Sequence, residues 1–294
     1  MLPAPIEEYR RPADIEAVLA AIASGDEDIM LLAGGQSAMQ AIKSRMVRPR
    51  VVVDLQQVEE LKAVDASNGE LRIGALVRYV DIASRQDLSP ALQALSDAAS
   101  RVGDRQVRNR GTIGGSLCWN YVAACMPTVT LALDGQIALA SAVRGRRVLE
   151  AGAFLLSALT TARQPDELLE SITFAIPQGR VGSAYRKWSL VTDGLPVVAV
   201  AAQVTLDGQG RCAKARVAFG GLADGSQRAP AAENLLEGSD LSAEAVSRAL
   251  GAGADPLDLG SDDVADAEYR RRLILSIGAD VVGKAAARAR SAQQ

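Results

Sequence analysis

Two glycine pairs are the residues in this sequence whose types and spacing suit chemistry. Ala33-Gly34-Gly35-Gln36-Ser37 and Thr112-Ile113-Gly114-Gly115-Ser116 each follow their glycines with a hydroxyl. Glycine permits unusual dihedrals and lets a ligand approach the main chain, so such loops can aim several backbone N–H groups at a pyrophosphate. Ser37 and Thr112 are candidates to add hydrogen bonds to phosphate oxygens. A lone Gly-Gly reads as a tight turn. Two of them with matching flanks point to a phosphate or dinucleotide site.

The competing nucleotide signatures fail. No Gly-x-Gly-x-x-Gly occurs, so a Rossmann site has no support. Gly278 to Ala285 resembles a P-loop, but Ala285 replaces the Ser or Thr that binds magnesium. No strand precedes it, and Leu273, Ile274, Ile277, Val281 and Lys284 continue one helical face.

The chain contains no histidine. That excludes Ser-His-Asp and Cys-His nucleophilic catalysis, HExxH zinc sites and histidyl-linked flavin. Chemistry here belongs to a bound cofactor. Cys118, Cys125 and Cys212 are too few for the four thiolates of an ordinary iron-sulfur cluster, and their odd number argues against a disulfide framework. A formal charge of -3 argues against general nucleic-acid binding. Arg101, Arg105, Arg108 and Arg110 form a local basic stretch that fits anion steering, a partner-facing surface or a solvated turn. Lys187, between Tyr185 and Trp188, lies on a predicted strand, either at a half-buried edge or near an electron-rich ring.

The elements that must position these residues follow from periodicity. Arg11 to Ala23 predicts an amphipathic helix through Ile15, Val18, Leu19 and Ile22, with Pro12 in its first turn. Ile29 to Ala33 and Val51 to Leu55 read as strands flanking a glycine turn and short helix. Leu71 to Gly74 reads as a strand, and Tyr79 to Ser84 and Pro90 to Val102 as helices. Arg105 to Arg110 reads as a polar stretch, Val129 to Leu133 as an apolar run, Gln136 to Ser141 and Arg146 to Glu150 as a hairpin around Gly145, and Leu168 to Ile176 as a strand. The pattern changes after Pro177, which marks a domain junction at Pro177 to Gly182. Beyond it, Val198 to Leu206 and Ala213 to Phe219 alternate around an Asp-Gly-Gln-Gly turn, a hairpin with one buried face. Helices over Ala231 to Leu236, Ala243 to Leu250 and Ala267 to Ala287 complete an α+β fold with helices on one side of an antiparallel sheet. The tail after Lys284 reads as frayed. No stretch is long and apolar enough for a membrane span, and Met1 to Tyr9 lacks an export-type start, so a cytoplasmic location is expected.

Ala33 to Ser37, Arg48-Pro49, Val53-Asp54-Leu55 and Arg108 to Ser116, followed by Leu131 to Asp134, Asp166 to Leu169, Ile176-Pro177 and Ala184 to Lys187, resemble in order and spacing the FAD-binding middle subunit of molybdenum hydroxylases, the carbon monoxide dehydrogenase and xanthine dehydrogenase family. The resemblance implies a two-lobed FAD-binding domain of the vanillyl-alcohol oxidase type over residues 1–177, with lobes of about 1–56 and 57–177, and a smaller C-terminal α+β domain with antiparallel sheet over 178–290. It implies that Ala33, Gly34, Gly35, Gln36, Ser37, Thr112, Ile113, Gly114, Gly115 and Ser116 hold the pyrophosphate. Leu169 then falls near a backbone contact to the flavin, and Lys187 on a lysine close to it. Cys125 stands where members usually carry an Asp that bonds the cofactor, a departure for which Asn120 or Tyr121 could compensate. Electrons would reach FAD from a molybdenum cofactor-binding large subunit and a 2Fe-2S small subunit and leave to an external acceptor. A self-sufficient flavin oxidase of the same fold and a non-catalytic nucleotide-binding module are the alternatives.

Overall fold

The computed structural model of the chain describes residues 5–292. Its first unit is a three-stranded parallel sheet with Val51–Asp54 between Glu8–Arg10 and Ile29–Leu32. A central parallel strand is covered on both faces, which is why Val51, Val52 and Val53 run without a polar break. The helix over Ile15–Ile22 covers this sheet through Val18, Leu19 and Ile22. It starts later than the periodicity predicts, because Asp14 caps it by accepting from the Ala17 N–H at 2.8 Å. Pro12 therefore precedes the helix.

The second unit is a five-stranded antiparallel sheet in the order Val64–Ser67, Glu70–Gly74, Leu168–Ala175, Gln136–Ser141, Gly145–Glu150. Three sequence readings change here. The helix expected from Pro90 splits into a 3-10 turn, Pro90–Leu92, and a helix, Gln93–Ala99. The basic stretch Arg105–Arg110 is itself a helix, capped by Asp104 on the Val107 N–H at 2.8 Å. The run Val129 to Leu133 is the end of a helix, Cys125–Ala132, capped by Leu133, in which all eight residues are buried. With no polar face there is no 3.6-residue alternation to read.

The third unit is a four-stranded antiparallel sheet, Val181–Trp188, Val198–Leu206, Cys212–Gly220 and Gln227–Arg228. Helices were expected on one side only, and both faces are covered. Val198, Val200 and Val204 pack toward the helices Pro230–Leu236, Ala243–Ala254 and Ala267–Ser291. Ala199, Ala201, Ala218 and Tyr185 join the core of the second unit, against Gln93–Ala99 and Cys125–Ala132. Small side chains on alternate positions let those helices approach the sheet.

The last helix spans Ala267–Ser291, so residues 285–291 are helical rather than frayed. Ala285, Ala286 and Ala289 are buried, and Gly182 admits the helix where a Cβ would stand 2.3 Å from the Ala285 carbonyl oxygen. Gly278 to Lys284 lies inside this helix, which disposes of the P-loop reading.

Asp97 ties the helix to the second unit. Its carboxylate accepts from Lys284 Nζ at 3.0 Å, Arg288 Nη1 at 2.6 Å and the Tyr185 N–H at 3.2 Å. Burial pushes its acidity the other way, but the Arg288 and Lys284 cations outweigh burial and hold the carboxyl below its ordinary range. The resulting stabilisation is present above the ordinary Asp value and is lost as pH falls through the depressed one. Asp97→Ala is expected to cost about 1–3 kcal/mol, since it strands the partly buried Arg288 cation and takes the acceptor from the Tyr185 N–H, while the exposed Lys284 adds little. Urea unfolding at neutral pH and at acid pH checks this, and the gap between variant and parent should shrink in acid.

Candidate functional site

A cavity of about 830 Å³ brings the two glycine loops and the C-terminal sheet together. The first loop leaves the strand Ile29–Leu32 and enters the helix Ala38–Lys43. Gly35 has φ +74°, a left-handed conformation that favours glycine. Gly34 lies against the second loop so closely that a Cβ would stand 2.1 Å from the Arg110 carbonyl oxygen. Gln56 fixes the loop by donating to the Ala33 carbonyl at 2.9 Å. The N–H groups of Gly34, Gly35, Gln36 and Ser37 meet no protein acceptor among the described residues, and the Ser37 hydroxyl makes no capping bond. Four such donors around one turn make an anion cradle.

The second loop is built differently. Its N–H groups are engaged inside the protein: Ile113 donates to the Val77 carbonyl at 3.1 Å, Gly114 to Ala75 at 3.0 Å, Gly115 to the Thr112 hydroxyl at 3.2 Å and Ser116 to the Thr112 carbonyl at 3.1 Å. Thr112 is the N-cap of the helix Ile113–Trp119. The glycines answer to packing, for a Cβ on Gly114 would meet Ala75 Cβ at 2.6 Å and one on Gly115 would meet Thr112 Oγ1 at 2.9 Å. This loop forms a wall of the cavity and offers the Ser116 and Thr112 hydroxyls rather than a row of free N–H groups. Ile113 is a correction to the sequence reading: its side chain is fully buried in the core and does not line the cavity.

Leu169, Cys125 and Lys187 line the same cavity. Leu169 is the second residue of the strand Leu168–Ala175, whose register slips between Leu169 and Ser171, a bulge beside the cavity. Lys187 is 8% exposed, and its Nζ donates to the Gly194 carbonyl at 2.5 Å. No carboxylate lies within ion-pair distance of it among the described residues. Burial pulls its ammonium below the ordinary lysine value, Arg101 and Arg108 add to this, and Cys125 and Asp193 oppose it. Burial pushes the Cys125 thiol up more than Lys187 pulls it down, so the sulfur stays protonated at neutral pH. The buried Tyr185 hydroxyl has no oxygen or nitrogen partner and lies against that sulfur, a weak acceptor.

Other expectations fare unevenly. Arg101, Arg105, Arg108 and Arg110 do not line the cavity, and Arg108 instead donates to the Gly103 carbonyl at 2.6 Å. Arg48 and Arg163 line it in their place. Asn120 cannot compensate for Cys125, because its amide donates to the Ser157 and Thr160 carbonyls at 2.7 and 3.0 Å, away from the cavity. Tyr121 does reach it. The strap Asp193 to Pro196 also lines the cavity, although nothing in its composition marked it.

A cradle of unpaired N–H groups and a buried cation on one cavity of about 830 Å³ suit a dinucleotide. Residues 5–178 match the family described as the FAD binding domain in molybdopterin dehydrogenase, and residues 183–285 match the CO dehydrogenase flavoprotein C-terminal domain. The chain belongs to the FAD-binding medium subunits of the molybdenum hydroxylases, oxidoreductases that include the carbon monoxide and xanthine dehydrogenases. It is 34% identical to the nicotine 6-hydroxylase medium subunit of Paenarthrobacter nicotinovorans, over 97% of this chain and 99% of that one. It is 33% identical to subunit alpha of the 6-hydroxypseudooxynicotine dehydrogenase complex of the same organism, over 99% and 98%. Among solved structures, carbon monoxide dehydrogenase from Hydrogenophaga pseudoflava, in a form lacking the Mo-pyranopterin moiety, superposes with a TM-score of 0.92 at 28% identity, covering 98% of this chain and 99% of that one. No helix among the described residues is long and apolar enough to cross a membrane.

Proposed function

We propose that this chain holds one FAD, receives electrons from 2Fe-2S clusters of a small partner subunit, and passes them to an external acceptor, while a large molybdenum cofactor-binding subunit oxidises the organic substrate. A cytoplasmic location and a domain division near Pro177 belong to the same reading. The observation that carries it is the convergence of Ala33 to Ser37, the walls Thr112 and Gly114 to Ser116, Leu169, Cys125 and Lys187 on one cavity.

FAD supplies the chemistry, accepting electrons one at a time and releasing them as a pair. The chain binds and orients it. The N–H groups of Gly34 to Ser37 hold the pyrophosphate, with the Ser37 hydroxyl beside them. The Lys187 ammonium, tethered by the Gly194 carbonyl of the strap Asp193 to Pro196, would supply a positive charge near the flavin. A protonated Cys125 adds no charge of its own, so the Lys187 charge is not neutralised there.

With no histidine for the commonest covalent link, the flavin is expected to be noncovalent. Acid precipitation of the purified yellow chain should release about one FAD per subunit. Flavin retained on the washed precipitate, FMN in place of FAD, or a colourless chain that takes up neither would sink the reading.

A further inference from the structure

Gln56 does not line the cavity, yet it grips the loop that does. The strand Val51–Asp54 runs beside Ile29–Leu32, and one step past its end the Leu55 N–H donates to the Leu32 carbonyl at 3.0 Å. The Gln56 N–H then turns back to Asp54 Oδ1 at 2.9 Å. Asp54 is 7% exposed, and its other oxygen accepts from the hydroxyl of Tyr9, on the far strand of the same sheet. The Gln56 backbone is therefore fixed before its side chain reaches out, and Nε2 meets the Ala33 carbonyl oxygen at 2.9 Å from a set direction. The C=O and N–H of one planar trans peptide point opposite ways. An Ala33 carbonyl held on Gln56, outside the cavity, thus turns the Gly34 N–H away from Gln56. Released, that oxygen could rotate into the cradle, where its partial negative charge would oppose a phosphate. The next peptide is held more loosely, by the exposed Gln36, whose Nε2 donates to the Gly34 carbonyl at 3.3 Å.

We propose that Gln56 is a positioning residue for the pyrophosphate: standing outside the cavity, it sets the plane of the Ala33–Gly34 peptide and so aims the first N–H of the cradle Gly34 to Ser37. The inference rests on the reading that FAD fills the cavity. What the role requires is a donor at position 56, not merely a side chain of that length. Gln57 has the same chemistry but is exposed and makes no side-chain hydrogen bond among the described residues, so only one of two adjacent glutamines carries the role.

The test titrates FAD into the full apo chain, followed by flavin fluorescence, with circular dichroism as the check on folding. Gln56→Met keeps the length without the donor, and its affinity should fall about tenfold or more throughout pH 5 to 8. Gln56→Glu should match that loss at pH 8, where a carboxylate cannot donate. As pH falls the new carboxyl takes up a proton and can donate to the Ala33 carbonyl, so affinity at pH 5 should return to within about threefold of the parent. Asp54 and the carbonyl oxygen beside it favour the protonated form, which brings the recovery into this range. Gln57→Glu adds the same charge one residue away and should bind FAD like the parent at both pH values. Three results would each overturn the proposal: a folded Gln56→Met chain that loses less than tenfold, a folded Gln56→Glu chain whose loss persists at pH 5, or a Gln57→Glu loss equal to that of Gln56→Glu. Should one variant at position 56 fail to fold, the other decides alone. A parent chain that takes up no FAD sinks the underlying flavin reading instead, a result visible before any variant is made.

Discussion

A chain carrying Gly34→Val is expected to emerge folded but colourless. The valine Cβ would need the place 2.1 Å from the Arg110 carbonyl oxygen and 2.9 Å from Gly111 Cα, both of them backbone atoms that no rotamer change can move. The first loop must swing away from the second, and the N–H groups of Gly34 to Ser37 lose their common aim. A hundredfold or greater loss of FAD affinity follows, about 2.8 kcal/mol or more. The fold should survive, because the loop lies outside the strands and helices, with an overpacking penalty of about 1–3 kcal/mol. Titration of FAD into the apo variant, with circular dichroism as the check on folding, decides it; a folded variant with parental affinity would show that the loops need not meet. Gly283→Ala is the control, since a Cβ there meets nothing within 4 Å in the last helix, so it should add about 0.5–1 kcal/mol of stability and leave FAD binding alone. Gly114→Asp is a poorer probe than the sequence suggests. Its Cβ would collide with Ala75, so any loss of FAD would mix misfolding with repulsion of phosphate.

Lys187→Met is expected to separate the two redox states of the cofactor. A buried ammonium hydrogen-bonded to the Gly194 carbonyl, with no carboxylate beside it among the described residues, is costly to the empty chain, and methionine keeps the length without the charge. The apo variant should therefore be at least as stable as the parent. Reduced flavin carries the greater negative charge, so losing the cation should weaken its binding tenfold or more while oxidised FAD changes little. Each tenfold difference lowers the two-electron midpoint potential by about 30 mV. Spectroelectrochemical titration reads this directly, and Lys187→Arg should restore most of the potential by restoring the charge. An unchanged midpoint in a FAD-loaded Lys187→Met chain would remove Lys187 from the neighbourhood of the ring.

Much of this was legible in local pattern. The glycine pairs, the missing histidine, the strand–turn–helix–strand order around Gly34 and Gly35 and the alternation of Val198 to Leu206 are properties of neighbouring residues, and dihedral preference and side-chain period act at that range. The order and spacing of the same motifs carried the family. Folding decided what those residues do. Two Gly-Gly loops that look alike along the chain differ once folded, because Ala75 and Val77 take up the N–H groups of Gly114 and Ile113 while nothing among the described residues takes up those of Gly34 to Ser37. Ala199, Ala201 and Ala218 read as the plain face of a hairpin until Gln93–Ala99 and Cys125–Ala132 cover them. The residues after Lys284 look like a loose tail until Arg288 reaches Asp97 across 191 positions of sequence. Hydrophobic period is a local quantity; which donor stays unpaired, and which face meets another, depends on contacts between distant segments that no local pattern contains.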